Sequence, residues 1–165
     1  MKDTGVSMTN PTRQRVTQVL LWFLVLCNMA AIFVFSSQTG EQSAQTSERV
    51  TETIARMTVP GFAAMPLTEQ RETIRTLQLP VRKMAHTLEF ALLGFLLMLA
   101  WAQYPIKRLK RLLFSLGMAA LVALMDELYQ RSVTGRGPSF EDIGIDILGA
   151  AFGILLLFVI VRKRL

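Results

Sequence analysis

The segment Arg82-Lys83-Met84-Ala85-His86-Thr87-Leu88-Glu89-Phe90 carries the chain's one histidine and, three residues later, a glutamate. Residues three or four apart share a helix face, so Arg82, Ala85, His86 and Glu89 project together. An imidazole beside a carboxylate suits general acid–base work: the acid orients the ring and the ring moves a proton. Arg82 and Lys83 beside them suit an anionic ligand, above all a phosphate. A second polar group follows later in the chain. Asp126, Glu127 and Gln130 come first, then Arg136 between Gly135 and Gly137, then Asp142 and Asp146.

These residues sit in or at the ends of apolar runs, and that is what makes them informative. The composition is 52% hydrophobic and 18% charged, the balance of a membrane protein. Four stretches, about 16–36, 82–103, 112–130 and 142–161, have the length and apolarity to span a bilayer. Acids near a bilayer centre cost about 2.5–3.5 kcal/mol each on insertion scales, so Glu89, Asp126 and Asp146 need pairing, protonation or water. Asp126 and Glu127 end one helix, where the backbone dipole disfavours negative charge, whereas Asp142 and Asp146 begin another, where it favours it. Carboxylates in opposed fields can divide acid and base work between them.

Charge bias sets the expected orientation. The N-terminal tail, the 105–111 connection and the C-terminus together hold ten Lys/Arg and one acid, Asp3. Segment 39–81 instead sets Arg49, Arg56, Arg71 and Arg75 against five glutamates. Basic flanks favour the cytoplasm, so both termini are expected inside and segments 39–81 and 131–142 outside. The net charge of +6 comes from short clusters beside apolar runs rather than from one basic stripe, which argues against nucleic acid. The intramembrane ionisable residues then all fall in the outer half. A transporter would want polar groups through the full depth.

The chain reads as all-α: a polytopic four-helix membrane bundle with an extracytoplasmic amphipathic segment at 39–80, between the first and second spans. Residues 1–15 form a cytoplasmic tail, 16–161 the membrane domain and 162–165 a basic cytoplasmic end. The first run is too long for a signal-peptide core and is expected to stay as a helix, with Gln18 and Asn28 bonding a neighbour. Cys27 is the only cysteine, so no disulfide forms within the chain, and it reads as a small buried residue. In 39–80, Val50, Ile54 and Met57 repeat at helical spacing, as do Leu67, Ile74 and Leu77. Pro60-Gly61 and Pro66 separate two short helices suited to the membrane surface. Ser139 with Asp142 has the form of a capping box that starts the last helix. Asp142, Asp146, Gly149 and Gly153 share one face, and the glycines permit close approach of a partner helix.

Arg82-Lys83-x-x-His86-x-x-Glu89-Phe90 resembles the Lys-x-x-His-x-x-Glu-aromatic signature of VanZ-like membrane proteins. Asp126-Glu127-x-x-Gln130, Gly135-Arg136 and Asp142-x-x-x-Asp146-x-x-Gly149 resemble that family's second signature, and Phe33-Val-Phe-Ser36-Ser37-Gln38 its usual first-helix end. The resemblance spans 16 to 161; the long 39–81 segment and Phe90, where tyrosine is frequent, depart from the pattern. It implies a bacterial cytoplasmic-membrane protein connected with the envelope. The family takes its name from a member linked to teicoplanin resistance, and has been grouped with enzymes acting on lipid head groups. That grouping is analogy.

Two functions of different class are expected. In the first, an outer-leaflet enzyme acts on a phospholipid or lipid-linked wall precursor. Arg82, Lys83 and Arg136 hold the phosphate, His86 is base or nucleophile and Glu89 orients it. Asp126, Glu127 or Asp142 supplies acid or metal ligation, with Ser37, Gln38, Gln130 and Asp146 lining the substrate. A divalent cation suits these donor types, but no spacing specifies one. In the second, a non-catalytic lipid- or glycopeptide-binding protein or scaffold uses the same cluster as a lock. The partners in view are a membrane lipid or lipid-linked precursor, with a homo-oligomer or an envelope protein left open.

Overall fold

The computed structural model describes residues 11–135 and 139–160, and all the regular structure among them is helical. In order these are α1 (Pro11–Ser36), α2 (Gly40–Thr58), a 3₁₀ turn (Phe62–Ala64), α3 (Leu67–Ala102), α4 (Arg108–Gln130) and α5 (Phe140–Ile160). α1, α3, α4 and α5 are each long and apolar enough to cross a membrane. They alternate in direction, as the contacts of Ser36 with Asp126, of His86 with Asp126 and Asp146, and of Trp22 with Tyr104 show. The end of α1, the middle of α3, the end of α4 and the start of α5 therefore meet at one end of the bundle.

α3 is the central helix. Phe90, Leu93 and Leu97 on it are wholly buried, packed with Val25 and Ile32 of α1, Ala119 and Ala123 of α4, and Ala150 of α5. Outward-facing Val19, Phe23, Leu121, Leu148 and Phe152 are exposed, the inside-out pattern of helices solvated by lipid. Cys27 also faces outward rather than into the core expected for it. Its neighbour one residue on, Asn28, takes the buried place instead, and Asn28 Oδ1 has no hydrogen-bond partner among the described residues.

The α3–α5 seam depends on small residues. A side-chain carbon on Gly94 would meet the Ala150 backbone, one on Gly149 would lie 2.5 Å from the Thr87 carbonyl oxygen, and one on Gly153 would overlap the Ala91 carbonyl. The three positions run along one interface. Their absent side chains set how closely the two helices approach.

At the opposite end, Trp22 Nε1–H donates to Tyr104 Oη at 3.0 Å and Trp22 meets the Trp101 ring edge-on at 5.3 Å. Gln18 donates to the Gln103 carbonyl at 3.3 Å, the inter-element bond its sequence position suggested. The Arg108 guanidinium lies 3.4 Å from the Phe158 ring centre. Aromatic rings with cations beyond them fit the headgroup layer.

The region between the first two spans differs from two helices lying on a surface. α2 forms as expected, started by a reciprocal Thr39–Gln42 capping box. Pro60-Gly61 ends the pair's first arm, with Gly61 in the left-handed region at φ 73°. The second piece is not separate: Leu67 to Leu79 is the first third of α3, which runs on through Pro80. Proline removes one backbone donor, and packing on both sides of it holds the helix together. At 36 residues α3 is about 54 Å long against an apolar layer of about 30 Å. Its first third thus extends beyond the span, and α2 packs alongside through Gln78 Nε2, which donates to the Ala44 carbonyl at 2.9 Å.

Candidate functional site

His86 faces the bundle interior one turn before wholly buried Phe90. Its Nδ1 lies 3.2 Å from Glu89 Oε2, the i, i+3 pair that the sequence spacing implied. Its Nε2 lies 3.2 Å from Asp126 Oδ2 and 3.5 Å from Asp146 Oδ2. One imidazole therefore joins α3, α4 and α5. Asp126 is held from two further directions: Ser36 Oγ donates to its Oδ2 at 2.9 Å and Gln130 Nε2 at 2.7 Å. Gln130 also donates to Ser36 Oγ at 3.1 Å, so α1 joins the same network. The Asp126 side chain is only 1% exposed, and such burial is tolerable because its partners are this close.

The remaining acids have other duties. Glu127 is buried and its Oε1 accepts the backbone N–H of Ser139. Ser139 Oγ in turn accepts the Asp142 N–H at 3.2 Å. Half of the expected capping box is present, and Glu127 takes the reciprocal role that Asp142 would have had. Freed from it, Asp142 pairs with Lys83: Oδ1 lies 2.8 Å from Nζ, with Glu141 Oε1 at 3.5 Å on the other side. Lys83 thus ties α3 to α5 on the rim.

Above this network lies a cavity of about 270 Å³ with two kinds of wall. His86, Glu89, Asp146 and Gln130 form its polar floor, with Arg82, Lys83 and Asp142 at the side. Phe35, Val50, Leu79, Val81 and Ile145 contribute apolar surface, and Ser43, Thr46 and Ser47 of α2 cover it. Arg82 makes no hydrogen bond or ion pair with any described residue. Gln38 lines the cavity too.

Gly40 and Gly135 fix the cover in place. Gly40 N–H donates to the Thr134 carbonyl at 3.2 Å, and a side chain on Gly40 would come 2.8 Å from the Gly135 carbonyl oxygen. Gly135 itself has φ 79°. The start of α2 can touch the α4–α5 connection because Gly40 lacks a side chain, while Gly135 supplies the left-handed backbone that the turn needs.

The structure brings together His86, Glu89, Asp126, Asp146 and Gln130, and sets Arg82, Lys83, Asp142 and Gln38 around them. Glu127 lies behind the network as a cap for α5. Ser37 is exposed and donates to its own helix at the Val34 carbonyl, 2.7 Å away, while Ser36 takes the inward place. Spacing could have shown this: Val25, Asn28, Ile32 and Ser36 fall on one face of α1, and all are buried. Arg136 lies outside the described residues. The α2 hydroxyls were not foreseen, although Ser43 and Ser47 are one turn apart on a face. Among the described residues no group of three or more His, Cys, Asp or Glu has the arrangement of a metal site.

Four apolar helices of spanning length enclosing this cluster define a multi-pass helical membrane protein. Residues 21–162 match the VanZ/LLP1 family. The chain belongs to that family, and the match contains every described side chain of the network around His86. No curated protein and no solved structure matches the chain.

Proposed function

We propose that this protein binds a phosphate-bearing lipid at the extracytoplasmic side of the bacterial cytoplasmic membrane and performs acid–base chemistry on its head group. One observation carries the reading: a single cavity joins an apolar wall to a floor of His86, Glu89 and Asp146, with Arg82 beside them and without a partner among the described residues. A soluble polar ligand has no use for the apolar wall, and an acyl chain has none for the floor. An amphiphile uses both. The side assignment follows from the basic flanks at the other end of the bundle.

In this reading Arg82 holds the phosphate through its planar donors. His86 shares a proton with Glu89 across the Nδ1–Oε2 contact, and Glu89, which faces the cavity, exchanges it with a hydroxyl or water at the head group, while Nε2 stays buried against Asp126 and Asp146. Asp126, fixed by Ser36 and Gln130, and Asp146 stabilise the charge that the ring acquires. A second reading, a structural lock with no turnover, is favoured by one fact: both ring nitrogens of His86 already face carboxylates.

Incubating the purified protein and its His86→Ala, Glu89→Gln and Asp142→Asn variants with labelled envelope lipids separates the two. The proposal expects a head-group product from the parent, absent with His86→Ala. A folded parent that turns over nothing ends the catalytic reading. Lipid retention that is lost in the variants would then favour binding alone.

A further inference from the structure

The cavity's groups with bonding capacity to spare are of both signs, and this narrows the ligand. Lys83 is engaged by Asp142 and Glu141, and His86 by Glu89, Asp126 and Asp146. Among the described residues of the lining, Arg82 is the cation left for a phosphate. The same lining also carries acceptors. Glu89 meets His86 through Oε2, while its Oε1 has no partner among the described residues, on a side chain 25% exposed in the cavity. Thr46 donates its hydroxyl proton to the Gln42 carbonyl at 2.9 Å and Ser47 to the Ala44 carbonyl at 3.1 Å. With their protons turned back into α2, these two hydroxyls present lone pairs to the cavity.

A bare phosphate monoester would satisfy Arg82 and place its remaining oxygens against Glu89, Thr46 and Ser47, acceptor facing acceptor. An overall anionic ligand would also meet the carboxylates of Asp142 and Asp146 on the same lining. Resting on the phosphate-lipid reading above, we infer that the head group is dipolar: a phosphodiester carrying an ammonium group. The phosphate lies at Arg82, and the ammonium N–H donors reach Glu89 and the Thr46 and Ser47 oxygens. Such a group meets Arg82, Glu89, Thr46 and Ser47 without adding net charge to a pocket partly removed from water.

The test uses the purified full-length protein in detergent and three short-chain probes: dihexanoyl phosphatidylethanolamine, dihexanoyl phosphatidylglycerol and dihexanoyl phosphatidic acid, each titrated calorimetrically below its micelle concentration. Phosphatidylethanolamine is expected to bind about ten-fold or more tightly than either anionic lipid, the scale of one hydrogen-bonded charge. Glu89→Gln should abolish that preference while phosphatidylglycerol binding persists. Thr46→Val, on a helix outside the charged network, should weaken phosphatidylethanolamine selectively. Arg82→Gln should weaken all three. Equal or tighter binding of phosphatidylglycerol or phosphatidic acid would overturn the dipolar inference and leave the phosphate-lipid reading standing. A preference that survives both Glu89→Gln and Thr46→Val would overturn it as well. Binding of none of the probes, or binding indifferent to Arg82→Gln, would overturn the phosphate-lipid reading itself.

Discussion

Replacing Gly149 by alanine tests whether the α3–α5 seam sets the geometry around His86. The added carbon would lie 2.5 Å from the Thr87 carbonyl oxygen and 3.0 Å from Thr87 Cγ2. Carbon and carbonyl oxygen meet at about 3.3 Å, so the backbones must part by roughly 0.8 Å at this point. Asp146 sits one turn away on the same helix, with Oδ2 already 3.5 Å from His86 Nε2. Parting the helices carries that carboxylate out of pairing range. Overpacking a close-fitted interface costs about 1–3 kcal/mol, and Gly153→Ala, whose added carbon overlaps the Ala91 carbonyl, should fall at the upper end. Gly117 in α4 and Gly144 in α5 provide the control, since nothing lies within 4 Å of a side-chain carbon built on either. Alanine there should stabilise by about 0.5–1 kcal/mol through helix propensity. Thermal unfolding in one detergent, followed by size-exclusion recovery, should move the two pairs in opposite directions. Gly149→Ala or Gly153→Ala as stable as the parent would refute the seam argument.

Other expected outcomes rest on single contacts. Ser36→Ala removes a 2.9 Å donor from buried Asp126 and should destabilise by about 1.5–3 kcal/mol, whereas Ser37→Ala next to it should be near neutral in the same melt. Lys83→Met breaks a pair in which each side chain is about a third exposed, so the loss should stay below about 1 kcal/mol and shrink further in high salt. Gln78→Ala removes the hydrogen bond from α3 to the Ala44 carbonyl, which keeps Ser47 Oγ as a donor, and should speed hydrogen exchange across 43–55 by roughly five-fold, at about 1 kcal/mol of docking, leaving α4 exchange unchanged.

Much of this architecture was legible because lipid solvent imposes a simple pattern. Spans declare themselves by length, and a histidine with a glutamate three residues on can only share a face. The convergence of His86, Asp126 and Asp146 followed from alternating helix direction. What stayed hidden depended on contacts between distant segments. Pro80 reads as a helix end, yet α2 and the bundle support one helix through it. Asp142 reads as a cap, but Glu127, twelve residues before Ser139, takes the backbone proton instead. Ser36 and Ser37 are chemically alike, and only the helical phase set by buried Ile32 tells them apart. The α2 hydroxyls gain meaning only from the floor they cover.

The most direct measurement is an experimental density map of the protein in nanodiscs made from the lipids of its native membrane. The account expects a phosphate within about 3 Å of the Arg82 guanidinium, its head group between Glu89 and Thr46, and an acyl chain against Leu79 and Ile145. A cavity filled by side chains, or lipid phosphates lying only on the bundle's outer surface with His86 sealed from them, would contradict it.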